Sequence, residues 1–300
     1  MQRKIIYLIN PISGGKSKEQ LLLLINQETK QRGFFFEILS TRQDGNYHFL
    51  KEKIQQEKIT DIVICGGDGT ISQVTSVLID IAVNVGIIPM GSGNGLAYAA
   101  KIPKQPAEAL NLIFNGHAYY IDSFYINNNF SCMLCGLGFD AQVAHNFSKK
   151  KKRGLLTYIK ETAAHFFVAR PYPFVIINQE KTFSTEAFFI SIANSNQFGN
   201  QFTIAPQASL NDGLLDIVVV KKMSKLRMMF ALLLQMKTGK INDHEAPAFH
   251  KKDVLYFQTN QLTILNNGLA PLHVDGDPAA TANTFVIKVM PKAFRLIQPN

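Results

Sequence analysis

The first hundred residues alternate between short apolar runs and longer amphipathic ones. KIIYLIN, FFFEILS, DIVICGG and VGIIPM are nearly continuous in apolar side chains, and between them lie residues 17–32, 46–58 and 70–80, where apolar positions recur at helical spacing. Strands that are apolar on both faces and separated by helices predict a parallel sheet covered on both sides. Two helix starts are predicted by capping boxes, Ser17-x-x-Gln20 and Thr70-x-x-Gln73, where a hydroxyl and a side-chain amide can satisfy free backbone donors. From about residue 118 the pattern changes. AYYIDSFYI, FSCMLCGLG, FVIINQE, TFSTEAFFISIAN and GLLDIVVV, with four further runs between Val254 and Val289, are separated by turn signals such as Asn127-Asn128-Asn129 and Asn266-Asn267-Gly268. This second half reads as antiparallel strands, interrupted by helices near 154–168 and 224–237. The expectation is an α/β domain over 1–118 and a β-rich domain over 119–289, with the tail near 290–300 returning to the first and a ligand cleft between them.

Composition narrows the setting. The 300 residues are 46% hydrophobic and 18% charged, enough for two cores, and the formal charge of +9 predicts an anionic partner. The basic start MQRK is followed by an apolar run that stops at Asn10 with no small-residue cleavage site, and no run reaches the roughly 18 apolar residues of a spanning helix. A cytoplasmic protein with peripheral membrane contact is expected. Cys65, Cys132 and Cys135 are too few for a disulfide framework and read as buried thiols. His145, His165, His244, His250 and His273 show no metal-ligand spacing, so no zinc site is expected.

Candidate chemistry sits at three glycine-rich bends, each following an apolar run: Ser13-Gly14-Gly15, Gly66-Gly67-Asp68-Gly69-Thr70 and Gly91-Ser92-Gly93-Asn94-Gly95. The first is not a Walker A loop, because Asn10 stands where that motif needs its first glycine. In a parallel sheet all three bends fall on the carboxyl edge, where exposed amides and helix N-termini receive phosphates. Asp68 carries a negative charge into that setting, which suits a residue facing a cation rather than the phosphate.

In order and spacing these segments resemble the diacylglycerol kinase catalytic domain family, which includes diacylglycerol, sphingosine and ceramide kinases and bacterial lipid kinases. The likeness is carried by NPISGGKS, GGDGTISQV, IPMGSGNGLA, GLGFDAQV, KKKKRGLLTYI, FGNQFTIAPQASLNDGLLDIVVV and DGDP, and it runs nearly the full length. It implies a phosphofructokinase-like α/β nucleotide-binding domain, a β-sandwich lipid-binding domain, and Mg²⁺-dependent phosphorylation of a lipid hydroxyl by ATP. GGDGT is shared with NAD kinases, so a soluble substrate such as NAD is the alternative. The Asn-Glu pair by which NAD kinases hold the nicotinamide ribose is not found here, and a non-catalytic lipid or nucleotide binder is a third reading.

The resemblance places ATP contacts on Asn10, Ser13, Gly14, Gly15, Lys16, Thr41, Gly66, Gly67, Asp68, Gly69, Thr70, Ser72, Ser92 and Asn94. The family's D-G-E base motif corresponds to Asp275-Gly276-Asp277, which puts Asp277, one methylene shorter, in the role of base, with Asp275 and Asp68 as the other catalytic carboxylates. At Asp212 and Asp216 a second metal site is implied, held by a side-chain carboxylate and backbone carbonyls around Ser209, Asp212 and Leu214; the alternative is a turn whose Asp caps backbone donors. Gly95 replaces an Asp common in bacterial relatives and gives the third bend a sphingosine-kinase appearance, which leaves the lipid open. The run Lys149, Lys150, Lys151, Lys152, Arg153 is either a solvated face or a contact for an anionic membrane; it lacks the interleaved aromatics of a nucleic-acid site. Residues 225–240, apolar with basic ends, are either a core helix or a membrane-resting one. A homodimer is left open.

Overall fold

The computed structural model describes residues 2–11, 18–148, 169–179, 181–197, 205–224, 227 and 253–300. The chain divides into two compact units, Met1–Ile121 with Lys292–Asn300, and Asp122–Pro291.

The first unit is the α/β part. In chain order it contains β1 (Lys4–Ile9), α1 (Lys18–Gln31), β2 (Phe35–Ser40), α2 (Phe49–Glu57), β3 (Asp61–Gly66), α3 (Asp68–Ser76), β4 (Asn84–Pro89), α4 (Gly95–Ala99), α5 (Pro106–Asn115) and the start of β5 (His117–Ile126). The parallel strand order is β2-β1-β3-β4, and residues 295–296 of the last strand pair parallel with β4. β3 is buried along its whole length and β1 and β4 nearly so, whereas edge strand β2 is half exposed, so burial follows the apolar content of each run. At the amino ends of the strands, buried Asp61 accepts from Arg3 Nη2 at 2.7 Å, Thr60 Oγ1 at 2.6 Å and Asn84 Nδ2 at 3.2 Å. Arg3 also donates to the carbonyls of Ile113 and Phe114, which ties α5 to that edge. The opposite, carboxyl edge is left for chemistry. Because β2 lies to one side of β1 and β3 to the other, the winding reverses there, the position where open α/β sheets bind ligands.

The second unit is an antiparallel β-sandwich. After the end of β5 come β6 (Asn129–Ser131), β7 (Leu134–Gly138), α6 (Phe139–Ser148), β8 (Tyr172–Asn178), β9 (Lys181–Ala193), β10 (Leu215–Lys221), β11 (Val254–Thr259), β12 (Gln261–Leu265), β13 (Leu272–Val274), β14 (Asp277–Ala279) and β15 (Thr284–Gln298). β9 pairs with β7, β8 and β10, and β13 joins β7 to the β14 hairpin. β10 shows why GLLDIVVV lacks alternation. Leu215, Ile217 and Val219 enter one core with Phe124, Phe174, Ile264 and Phe285, while Val218 and Val220 pack on the other face with Phe139, Val143 and Phe188. Both faces are covered, one by sandwich strands and one by α6.

Candidate active site

The second and third glycine bends meet in the first unit. A Cβ on Gly67 would lie 3.0 Å from the Cα of Gly91, and one on Gly91 would lie 2.9 Å from Asn94 Oδ1 besides overlapping Gly67. The two backbones therefore touch, a contact any side chain would prevent. Asn94, in the left-handed region at φ 54°, closes the third bend on itself: its Oδ1 accepts from Gly91 N at 2.8 Å and its Nδ2 donates to Gly91 O at 2.8 Å. Asp68 links the bends, because its carboxylate accepts from the amides of Gly95 (3.1 Å) and Leu96 (3.4 Å) and so caps α4. The anion-in-a-phosphate-loop problem thus has a structural half to its answer: Asp68 satisfies a helix N-terminus in addition to any cation it meets.

Asn10, at the end of β1, donates from its side chain to Thr70 Oγ1 at 3.1 Å and from its backbone to Cys65 O, which brings the exit of β1 against α3. Thr41 follows β2 at the same edge, its amide bonded to Ile9 O. Gly66, Gly67, Gly69, Thr70 and Ser72 lie around the start of α3, and Ser92 is exposed at the tip of the third bend. Ser13, Gly14, Gly15 and Lys16 lie outside the described residues. One expectation is corrected: α3 begins at Asp68 with Gly67 as its cap, so Thr70 is in the first turn and the capping box does not form there. The glycine-rich sequence lets the helix start two residues early, and Thr70 is engaged by Asn10 instead.

In the second unit, Asp275 and Gly276 form the two-residue turn of the β13–β14 hairpin, both with positive φ (49° and 85°), the type I′ geometry expected of Asp-Gly. Asp277 is the next residue, exposed at the start of β14 and in register with Val274. Asp275 is held by the neighbouring strand. Buried, it accepts from Ser131 Oγ at 2.6 Å and from the amides of Cys132, Met133 and Leu134 at 3.3, 3.2 and 3.0 Å, so its oxygens are committed to anchoring the turn. Four donors from residues 131–134 make it a strut of the turn.

The loop implied to hold a second metal makes the following side-chain contacts. Ser209 Oγ donates to Asn211 Oδ1 at 3.0 Å and Asp212 Oδ1 accepts from Leu214 N at 3.0 Å. Asp216 faces β11, where Tyr256 OH and Gln258 Nε2 donate to it; burial pushes its carboxyl up and the Tyr256 bond opposes that. Among the described residues no group of three or more His, Cys, Asp or Glu side chains is placed to hold a metal ion. The Lys149–Arg153 run and residues 154–168 lie outside the described residues, as does 225–240 apart from Arg227, which pairs with Asp253 at 2.8 Å.

Sequence reasoning missed a buried pair beside the hairpin. His273 Nε2 lies 3.4 Å from Asp140 Oδ2, and His273 Nδ1 accepts from Gly276 N at 3.3 Å. Burial raises the Asp140 carboxyl above the usual range, with His273 opposing. The two residues are far apart in sequence and have no ligand-like spacing; the one available signal was Asp140's place in GLGFDAQV.

Known proteins resemble the chain across both units. Residues 4–126 match the description "Diacylglycerol kinase catalytic domain" and residues 134–298 match "YegS C-terminal NAD kinase beta sandwich-like domain". A "Diacylglycerol kinase" of Bacillus subtilis is 26% identical over 301 residues, covering 96% of each chain. A "Probable lipid kinase YegS-like" of Shewanella frigidimarina is 29% identical over 260 residues, 84% of this chain and 80% of that one. A crystal structure of a diacylglycerol kinase from Bacillus anthracis shares the fold, with TM-score 0.76 at 20% identity over 99% of this chain and 97% of the other. Two matched domains in the order of the motifs, with relatives alike over nearly the whole length, establish that the chain belongs to the diacylglycerol kinase catalytic domain family, a family of lipid kinases.

Proposed function

We propose that the protein transfers the γ-phosphate of ATP to a hydroxyl of a membrane lipid, a diacylglycerol or a sphingoid-type lipid. The observation that carries this reading is the meeting of two glycine bends at the carboxyl edge, with Gly67 against Gly91 and the Asp68 carboxylate between them. Bare amides at that edge suit the phosphates, and this reading assigns ATP contacts to Asn10, Thr41, Thr70, Ser72, Ser92 and Asn94 among the described residues. Asp68 and the neighbouring hydroxyls form a hard oxygen donor set of the kind Mg²⁺ takes. The ion, when bound, neutralises charge on the phosphate oxygens. Asp277 accepts the lipid hydroxyl proton as that oxygen forms its bond to the γ-phosphorus; the bond from phosphorus to the β,γ-bridging oxygen breaks and ADP departs. The loop at Ser209, Asp212, Leu214 and Asp216 is a second candidate for an oxygen-held cation, with Asp216 accepting from Tyr256 and Gln258 as Asp68 does from Gly95 and Leu96.

A soluble acceptor such as NAD is the second reading, favoured by the C-terminal match to a description that names an NAD kinase-like sandwich. Incubating the protein with γ-labelled ATP, Mg²⁺, a total lipid extract and NAD separates the two. Label in the organic phase supports the lipid kinase, whereas label confined to a water-soluble product overturns it. We further propose that Lys149, Lys150, Lys151, Lys152 and Arg153 hold the protein at anionic leaflets, each basic residue contributing about 1 kcal/mol. Charge reversal of Lys150–Arg153 is expected to lower sedimentation with phosphatidylglycerol-containing vesicles, and unchanged sedimentation would remove the run from that role.

A further inference from the structure

The hairpin that carries Asp277 is held from two sides. On one side the Asp275 amide donates to Leu134 O at 2.9 Å and its carboxylate takes the donors of residues 131–134. On the other, the Gly276 N–H, which a type I′ turn ordinarily leaves to solvent, is received by His273 Nδ1 at 3.3 Å. To accept there, Nδ1 must be unprotonated, so the ring hydrogen of the neutral imidazole sits on Nε2, which lies 3.4 Å from Asp140 Oδ2 in an electrostatic contact rather than an aligned hydrogen bond. Asp140 is itself fixed at the first turn of α6, where its Oδ1 accepts from Ala141 N at 2.8 Å. His273 is fully buried, and its cross-strand neighbour on β7 is Gly136. A Cβ on Gly136 would overlap both Asp140 Oδ2 and His273 Nε2. The absent side chain is what leaves room for the pair, so the sequence of β7 is fitted to it.

We propose that the buried Asp140–His273 pair is a positioning device for Asp277. Asp140 selects the imidazole tautomer and orientation, His273 Nδ1 locks the Gly276 amide, and the locked turn fixes where the following carboxylate stands. This rests on the reading of Asp277 as the base. It parallels metal sites, where the second hydrogen bond of a histidine sets its tautomer and its loss costs about 10–100-fold in function. His145 Nε2 is turned to Leu272 O at 2.7 Å.

The test compares wild type, His273→Leu, His273→Asn and Asp140→Asn. An Asn at 273 can place its Oδ1 where Nδ1 stood but cannot reach Asp140. Expected are a fall in kcat of at least about tenfold for His273→Leu with KM for ATP unchanged, partial recovery in His273→Asn, and an intermediate loss in Asp140→Asn. Hydrogen exchange at the Gly276 amide gives a readout independent of activity: protected in wild type and His273→Asn, unprotected in His273→Leu. Wild-type kcat in a folded His273→Leu, or an unprotected Gly276 amide in wild type, would overturn the proposal. Should His273→Leu fail to fold, His273→Asn and Asp140→Asn decide by the same readouts, wild-type kcat and an unchanged Gly276 exchange rate in both counting against it. If wild type phosphorylates no lipid, the kinase reading fails, while the exchange pattern still decides whether His273 holds the turn.

Discussion

Asp68 shows how one side chain can be structural and chemical at once. Its bonds to Gly95 and Leu96 amount to a helix cap, worth about 1 kcal/mol. Asp68→Asn keeps one acceptor oxygen, so its melting temperature should move little. If the carboxylate also serves the cation, the transfer rate should fall at least about 100-fold; a near-normal rate would confine Asp68 to capping. The cysteines are a second case. Burial pushes the Cys65 and Cys135 thiols well up, so each holds its proton in the fold after the unfolded chain has lost it. Their contribution to stability is complete below about pH 8.5 and is lost as pH rises toward the folded values, each at up to about 1.4 kcal/mol per pH unit. Urea midpoints should therefore drop from about pH 8.5 upward in wild type and less steeply in Cys65→Ala. An equal slope would contradict the burial. At this scale the sequence was legible where a residue type has one good use, as with the thiols. It was silent on Asp140 and His273, because a contact between residues so far apart leaves no local pattern.

Among the elements, the strands and helices of the first unit were readable from apolar continuity and helical spacing, since a strand buried on both faces must be apolar throughout. The start of α3 was misread because capping-box spacing is a local signal, while the helix was extended by Gly67 and Asp68, whose partners lie on the third bend. The bends themselves are testable as a pair. Gly91→Ala drives a methyl into Gly67 and Asn94 Oδ1, overpacking expected to cost about 1–3 kcal/mol and to raise the KM for ATP. Unchanged nucleotide affinity in a folded Gly91→Ala protein would separate the bends from ATP binding. At the far edge of the same sheet, Arg3→Met leaves the buried Asp61 charge with only Thr60 and Asn84, and a loss of about 3 kcal/mol in denaturant unfolding is expected without any change in KM. A loss below about 1 kcal/mol would show that the pair contributes little.

For the whole molecule, the change from parallel α/β to antiparallel strands was visible near residue 118, and the chain passes from one unit to the other within β5 and returns within β15. The return was anticipated only as a tail, because a strand that serves two units in succession has no signature beyond its length. The substrate is less legible, since the residues that would read a lipid's polar group differ from any other cavity lining only in three dimensions. No helix among the described residues is long and apolar enough to cross a membrane. The central claim is that Asp277 takes the proton of a lipid hydroxyl during transfer from ATP. Its most direct test is the rate of label transfer from γ-labelled ATP into extractable lipid by wild type and Asp277→Asn side by side. The account predicts steady transfer by wild type and a loss of at least about 100-fold in a variant with the same melting curve. Equal rates in the two proteins would contradict it.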